Sequence, residues 1–152
     1  MNAYNVENVA EIQVSYKPTC SNNPKISCSN DAFNVLRKFI PEETIALQEH
    51  FLVMFLNNSN IILGVCMFSK GGITNTSVDP RLILATALKV AATGMILCHN
   101  HPSGNLKASE ADKMLTRKLT NAAAFMDIKI ADHIIISGTG EGYLSFADEG
   151  LM

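Results

Sequence analysis

No apolar run in this chain approaches the roughly 18 residues that cross a bilayer as a helix, which excludes a helical membrane span. The N-terminus lacks the basic-then-apolar layout of a secretory signal, so the expected setting is the cytoplasm. Cys20, Cys28, Cys66 and Cys98 show no CxxC spacing. Cys66 and Cys98 lie within apolar runs and read as small hydrophobes. Reduced thiols follow from a cytoplasmic setting, with a Cys20–Cys28 disulfide the one pairing left open. There is no basic tract, and a formal net charge of -2 gives no global attraction to nucleic acid. Internal repeats and low-complexity tracts are also missing. What remains is 152 residues, 47% of them hydrophobic, enough for one globular domain with a real core.

Residues 1–29 read as a polar, irregular extension in which the alternation of Ala10–Tyr16 suggests an edge strand, ended by Pro18. Ser29, Asn30 or Asp31 is placed to cap a helix carrying Phe33, Leu36 and Phe39. Pro41 opens a second short helical segment reaching about Glu49. Phe51–Leu56 and Ile61–Phe68, joined by Asn57-Asn58-Ser59-Asn60, predict a β-hairpin. Gly71-Gly72 marks a kink before a strand expected over Ile73–Val78. Asp79-Pro80 is a helix start, Asp as N-cap and Pro as first helical residue, for a helix running to Gly94. A helix over Ser109–Phe125 should turn Met114, Leu115, Leu119 and Ala122 inward, followed by strands at Ile128–Ile136 and Tyr143–Phe146. Strands and helices thus alternate around a mixed sheet, an α/β arrangement.

The chemistry concentrates after the apolar run Thr93–Cys98, in His99-Asn100-His101-Pro102-Ser103-Gly104 and Ser109-Glu110-Ala111-Asp112. Side chains alternate along a strand, so His99 and His101 share a face at its end. Pro102 and Gly104 turn the chain, and Asp112 falls in the first turn of the helix that follows. Two imidazoles and a carboxylate form a three-ligand set, which leaves a tetrahedral Zn2+ one open position, the mark of a catalytic site. Ser109-x-x-Asp112 is also a capping box in form. The two roles coexist, because a hydroxyl can accept from the backbone and still donate its own hydrogen.

The spacing His99-x-His101, seven residues, Ser109, two residues, Asp112 resembles the JAMM signature of the JAB/MPN metalloprotease fold. His-Asn-His-Pro-Ser-Gly, with Asp132-His133-Ile134-Ile135 downstream, is similar to the RadC branch of that fold, over residues 30–152. The resemblance implies a three-layer α/β sandwich, cytidine-deaminase-like, with a mixed sheet flanked by helices. It implies one catalytic Zn2+ per chain on His99, His101 and Asp112, with Ser109 stabilising a developing oxyanion. It also implies a general acid/base just before the strand that follows the first helix, a position held here by Glu49. The implied activity is cleavage of a peptide or isopeptide-type amide bond in an unidentified peptide or protein.

Three further residues stay open to two readings each. His133 is either a partner of a ligand lining the cleft or a satisfied core histidine. Ser103 either shapes the cleft or is an ordinary turn residue, and Arg81 either meets substrate or braces its own helix start. RadC relatives commonly show His-Pro-Arg-Glu where this chain has Asp79-Pro80-Arg81-Leu82, so roles tied to that His or Glu do not carry over. The alternative function is a binding module associated with DNA repair or mobile elements, without hydrolase activity. Full-length RadC relatives often bear an N-terminal helix–hairpin–helix region that this sequence is expected to lack. A nucleobase deaminase fits poorly, since that chemistry uses His-x-Glu with Pro-Cys-x-x-Cys.

Overall fold

The computed structural model describes residues 9–71 and 78–152. Five strands, β1 (His50–Leu56), β2 (Ile62–Lys70), β3 (Gly94–His101), β4 (Lys129–Ser137) and β5 (Tyr143–Ser145), form one sheet in the order β2-β1-β3-β4-β5. Three α-helices accompany it: α1 (Ser29–Leu36), prolonged by a 3-10 turn at Arg37–Phe39, α2 (Pro80–Lys89) and α3 (Glu110–Ala124). β3 and β4 run parallel, joined through α3, whereas the other neighbours pair antiparallel. A parallel pair needs such a crossover, and the helix supplies it.

The strands sort the core into two layers. β1 is apolar almost throughout because both of its faces are covered. Its even positions Leu52, Met54 and Leu56 meet Ala32 and Leu36 of α1, with Ile96, Cys98, Ile134 and Ile136 beside them. Its odd positions Phe51, Val53 and Phe55 share the other face with Met95 and Leu97, under Ile83 and Ala87 of α2 and Leu119 and Ala123 of α3. The result is the expected helix–sheet–helix sandwich. Burying one such side chain fully contributes about 1.5–3 kcal/mol.

One irregularity matters for the site. Met95 pairs with Ile130 but Ile96 pairs with Asp132, so Ala131 is an extra residue in β4. A bulge of one residue reverses the side-chain alternation beyond it. Ile130 therefore packs in the α2–α3 layer, Ile134 and Ile136 in the α1 layer, and His133 returns to the face of His99.

Several local expectations are corrected. Ala10–Tyr16 is not an edge strand: the stretch is irregular and exposed, with Ile12 88% accessible, and its Tyr16 hydroxyl donates to the Leu63 carbonyl at 2.8 Å. The bridge to this end of the hairpin comes instead from Lys25 opposite Ile61, so alternation alone had no ladder to join. The N-cap of α1 is Cys28, and Asp31 reaches back from inside the helix to accept from the Ser27 and Cys28 amides at 2.9 and 3.3 Å. Pro41–Glu49 forms hydrogen-bonded turns rather than a helix.

The helix after Asp79 ends at Lys89, not Gly94. Ala91 adopts a left-handed φ of 52°, with Ala91 N–H on Leu88 and Ala92 N–H on Ala87, a Schellman stop without its usual glycine. Met114 is 67% exposed rather than inward, because the buried stripe of α3 runs through Thr116, Leu119 and Ala123. Cys20 and Cys28 are both free. The strand expected at Ile73–Val78 falls, except for Val78, outside the described residues.

Candidate metal centre

Strand pleat, a tight turn and a helix cap bring together three groups that could hold a metal ion. His99 and His101 end β3 on the α3 side, continuing the face of Met95 and Leu97. The turn after them folds back: Gly104, at φ 79°, donates its N–H to the His101 carbonyl at 2.9 Å. That places the Asn105 carbonyl 2.6 Å from His101 Nδ1, so Nδ1–H donates to it and Nε2 is turned towards Asp112. Ser103 is exposed and its hydroxyl accepts from Asn105 N–H at 3.3 Å, the role of a turn residue. Gly138 at the end of β4 lies against the same turn. A Cβ there would stand 2.2 Å from the Pro102 carbonyl oxygen, so only glycine allows the approach.

Asp112 arrives through the capping box predicted from the sequence. Ser109 Oγ accepts from Asp112 N–H at 3.1 Å, and Asp112 Oδ2 accepts from Ser109 N–H at 2.7 Å. His99 Nε2 lies 3.0 Å from His101 Nε2 and 3.2 Å from Asp112 Oδ1, and His101 Nε2 lies 3.5 Å from Asp112 Oδ2. Tetrahedral bonds of about 2.0–2.2 Å place neighbouring ligand atoms roughly 3.3–3.6 Å apart. The three groups therefore could hold a metal ion, on spacing as well as on donor type.

The local charges agree with that grouping. Burial pushes the Asp112 carboxyl up, but the contacts from His101 and His99 outweigh it and hold the group well below the usual carboxylate range. His101 is raised above its ordinary value, first by Asp112 and, against the cost of burial, by the Asn105 carbonyl and the charges of Asp112 and Glu49. Glu49 is half-buried immediately before β1. Phe51 pairs with His99 in antiparallel register, and two residues earlier Glu49 comes near enough for its charge to act on His101.

His133 is fully buried, with Nε2 2.8 Å from His99 Nδ1 and its ring between Phe51 and Phe146. Burial, and after it the neighbouring His99, lower its pKa well below the ordinary value. Arg81 sits elsewhere: its exposed guanidinium pairs with Asp79 at 2.8 Å and braces the start of α2.

Sequence reasoning passed over two residues that organise this centre. Asn100, between the two histidines but on the opposite face, is fully buried. Its Oδ1 accepts from His50 N–H at 2.8 Å, and its amide donates to the Ile45 and Gln48 carbonyls at 2.7 and 3.0 Å. The clamp ties the turns that precede Glu49 to the ligand strand. An asparagine alternating with the two histidines, and so turned to the opposite, buried face of the strand, was the available signal. Thr116, one helical turn beyond Asp112, reaches His133 and gave no comparable signal.

A mixed sheet between helical layers, with a His-x-His strand end facing a capped acidic helix start, defines a JAB-type domain. The chain belongs to the RadC-like JAB domain family, whose model matches residues 26–151. Among curated proteins it is similar to a "UPF0758 protein" of Flavobacterium johnsoniae, 49% identical over 127 residues, covering 84% of this chain and 53% of the relative. A "UPF0758 protein" of Porphyromonas gingivalis is 37% identical over 144 residues, 95% of this chain and 63% of the relative. Another, from Chlorobium chlorochromatii, is 38% identical over 128 residues, 84% of this chain and 55% of the relative. The chain thus spans a little over half the length of the curated relatives it matches. No helix among the described residues is long and apolar enough to cross a membrane.

Proposed function

We propose that this domain is a zinc-dependent hydrolase that cleaves a peptide or isopeptide-type amide bond in a peptide or protein. The observation that carries the reading is the convergence of His99, His101 and Asp112 at ligand spacing, with the Glu49 charge acting on His101. Imidazole and carboxylate donors suit zinc. Bound zinc would supply Lewis acidity, lowering the pKa of a water towards about 7 and polarising the substrate carbonyl.

The chain's own residues supply the rest. Glu49 takes the proton from the attacking water and returns it to the leaving amine. Ser109 Oγ already accepts from Asp112 N–H, so its hydrogen is free to donate to the oxygen that gains charge on the substrate. Removing one such donor costs about 2.7–4 kcal/mol of transition-state stabilisation. The cytoplasm is the setting the reading assigns, in keeping with four free cysteines.

The test is a peptide library offered to the zinc-loaded protein and to Glu49→Gln. The account expects hydrolysis by the first only, with zinc retained by both. A Glu49→Gln protein with full activity on the same substrate would overturn the base assignment.

A further inference from the structure

Behind His99 lies a chain of three hydrogen bonds that joins two candidate ligands on different elements. His99 Nδ1 meets His133 Nε2 at 2.8 Å, and His133 Nδ1 meets Thr116 Oγ1 at 2.6 Å. Thr116 Oγ1 in turn donates to the backbone carbonyl of Asp112 at 2.7 Å. His133 and Thr116 are 0% and 4% exposed, so no bulk water competes for these positions.

Hydrogen counting fixes the direction of the chain. A carbonyl only accepts, so the single hydroxyl hydrogen of Thr116 is committed to Asp112. The Thr116 oxygen must then accept from His133, which places hydrogen on His133 Nδ1. With His99 Nε2 presented to a metal, hydrogen lies on His99 Nδ1 and His133 Nε2 accepts from it. His99 Nε2 is the atom 3.2 Å from Asp112 Oδ1, on the side where the three groups converge. Run in reverse, with Thr116 donating to His133, the chain would put hydrogen on His99 Nε2 and block that atom as a ligand.

We propose that Thr116 is a positioning residue for the metal: its hydroxyl sets the tautomers of His133 and His99 and ties the β3 ligand to the helix carrying Asp112. The inference rests on the metal-centre reading above and adds the residue that orients it. Groups hydrogen-bonded behind metal ligands typically change affinity 10- to 100-fold when lost, and Thr116 bonds both His133 and the Asp112 carbonyl.

Zinc affinity is measured by competition with a chromophoric chelator for the wild type, Thr116→Val, which keeps the shape, and Thr116→Ser, which keeps the hydroxyl. Thermal melts of the three metal-free proteins accompany the titrations. Affinity should fall about 10- to 100-fold in Thr116→Val and return to near the wild-type value in Thr116→Ser. A purely structural threonine would instead change the metal-free melts and leave affinity alone. Equal affinity in wild type and Thr116→Val overturns this proposal while leaving the metal centre standing; absence of zinc binding in the wild type overturns both. Imidazole 15N–1H correlation spectra of the zinc-loaded wild type check the hydrogen-bond chain without any variant. Hydrogen on Nδ1 of both His99 and His133 is expected, and hydrogen on Nε2 of His133 overturns the assignment.

Discussion

Asp112 serves three partners at once. It caps α3 through Ser109 N–H, and its two oxygens face His99 and His101. That economy explains the Ser-x-x-Asp spacing: the third helical position is where a carboxylate both closes the capping box and looks out past the helix end. It also sets a pH response. His101 is raised above 6.5, so its contribution to the metal-free fold is full below that unfolded value and is lost as pH rises through the folded one. Asp112 is lowered, so its contribution is present above about pH 4 and is lost as pH falls through its folded value. The pair therefore stabilises the metal-free protein from about pH 4 up to the raised His101 value. A metal must displace the proton on His101, so zinc affinity should start to fall above pH 6.5 on acidification, earlier than for an ordinary histidine. Chelator competition across that range checks it; a pH-independent affinity would contradict the pairing.

At the scale of elements, Asn100 is the joint between the ligand strand and the turns leading into β1. Asn100→Ala would leave the Ile45 and Gln48 carbonyls and the His50 amide without this partner. A buried polar group without a partner costs about 1–3 kcal/mol, and some relaxation is expected, so a loss of about 2–4 kcal/mol should appear in denaturant melts. His99 and His101 face the other way, so zinc binding should persist in that variant. The same joint shows where sequence reading stops. The five strands of the sheet, the Asp79-Pro80 helix start and the Ser109 capping box were legible because each is written in adjacent residues. The left-handed Ala91, the carboxylate of Asp31 capping from within and the hydrogen-bond chain through Thr116 were not. Each depends on which neighbour the fold delivers, a long-range fact that no local spacing encodes.

Across the whole molecule, the sandwich holds the centre on parts that cannot shift independently. β3 lies between β1 and β4, both faces of the sheet are covered, and the Ala131 bulge turns His133 towards the ligands. The grouping of His99, His101 and Asp112 was legible from their spacing together with the family resemblance, whereas the bulge that recruits His133 required the register. Because the metal is the premise for every chemical role assigned here, its presence is the most direct measurement. Elemental mass spectrometry of protein purified without chelator, beside His101→Ala, should give about one zinc per wild-type chain and its loss in the variant. No metal in the folded wild type, even after zinc is offered, would contradict the account and leave a domain that binds without cutting.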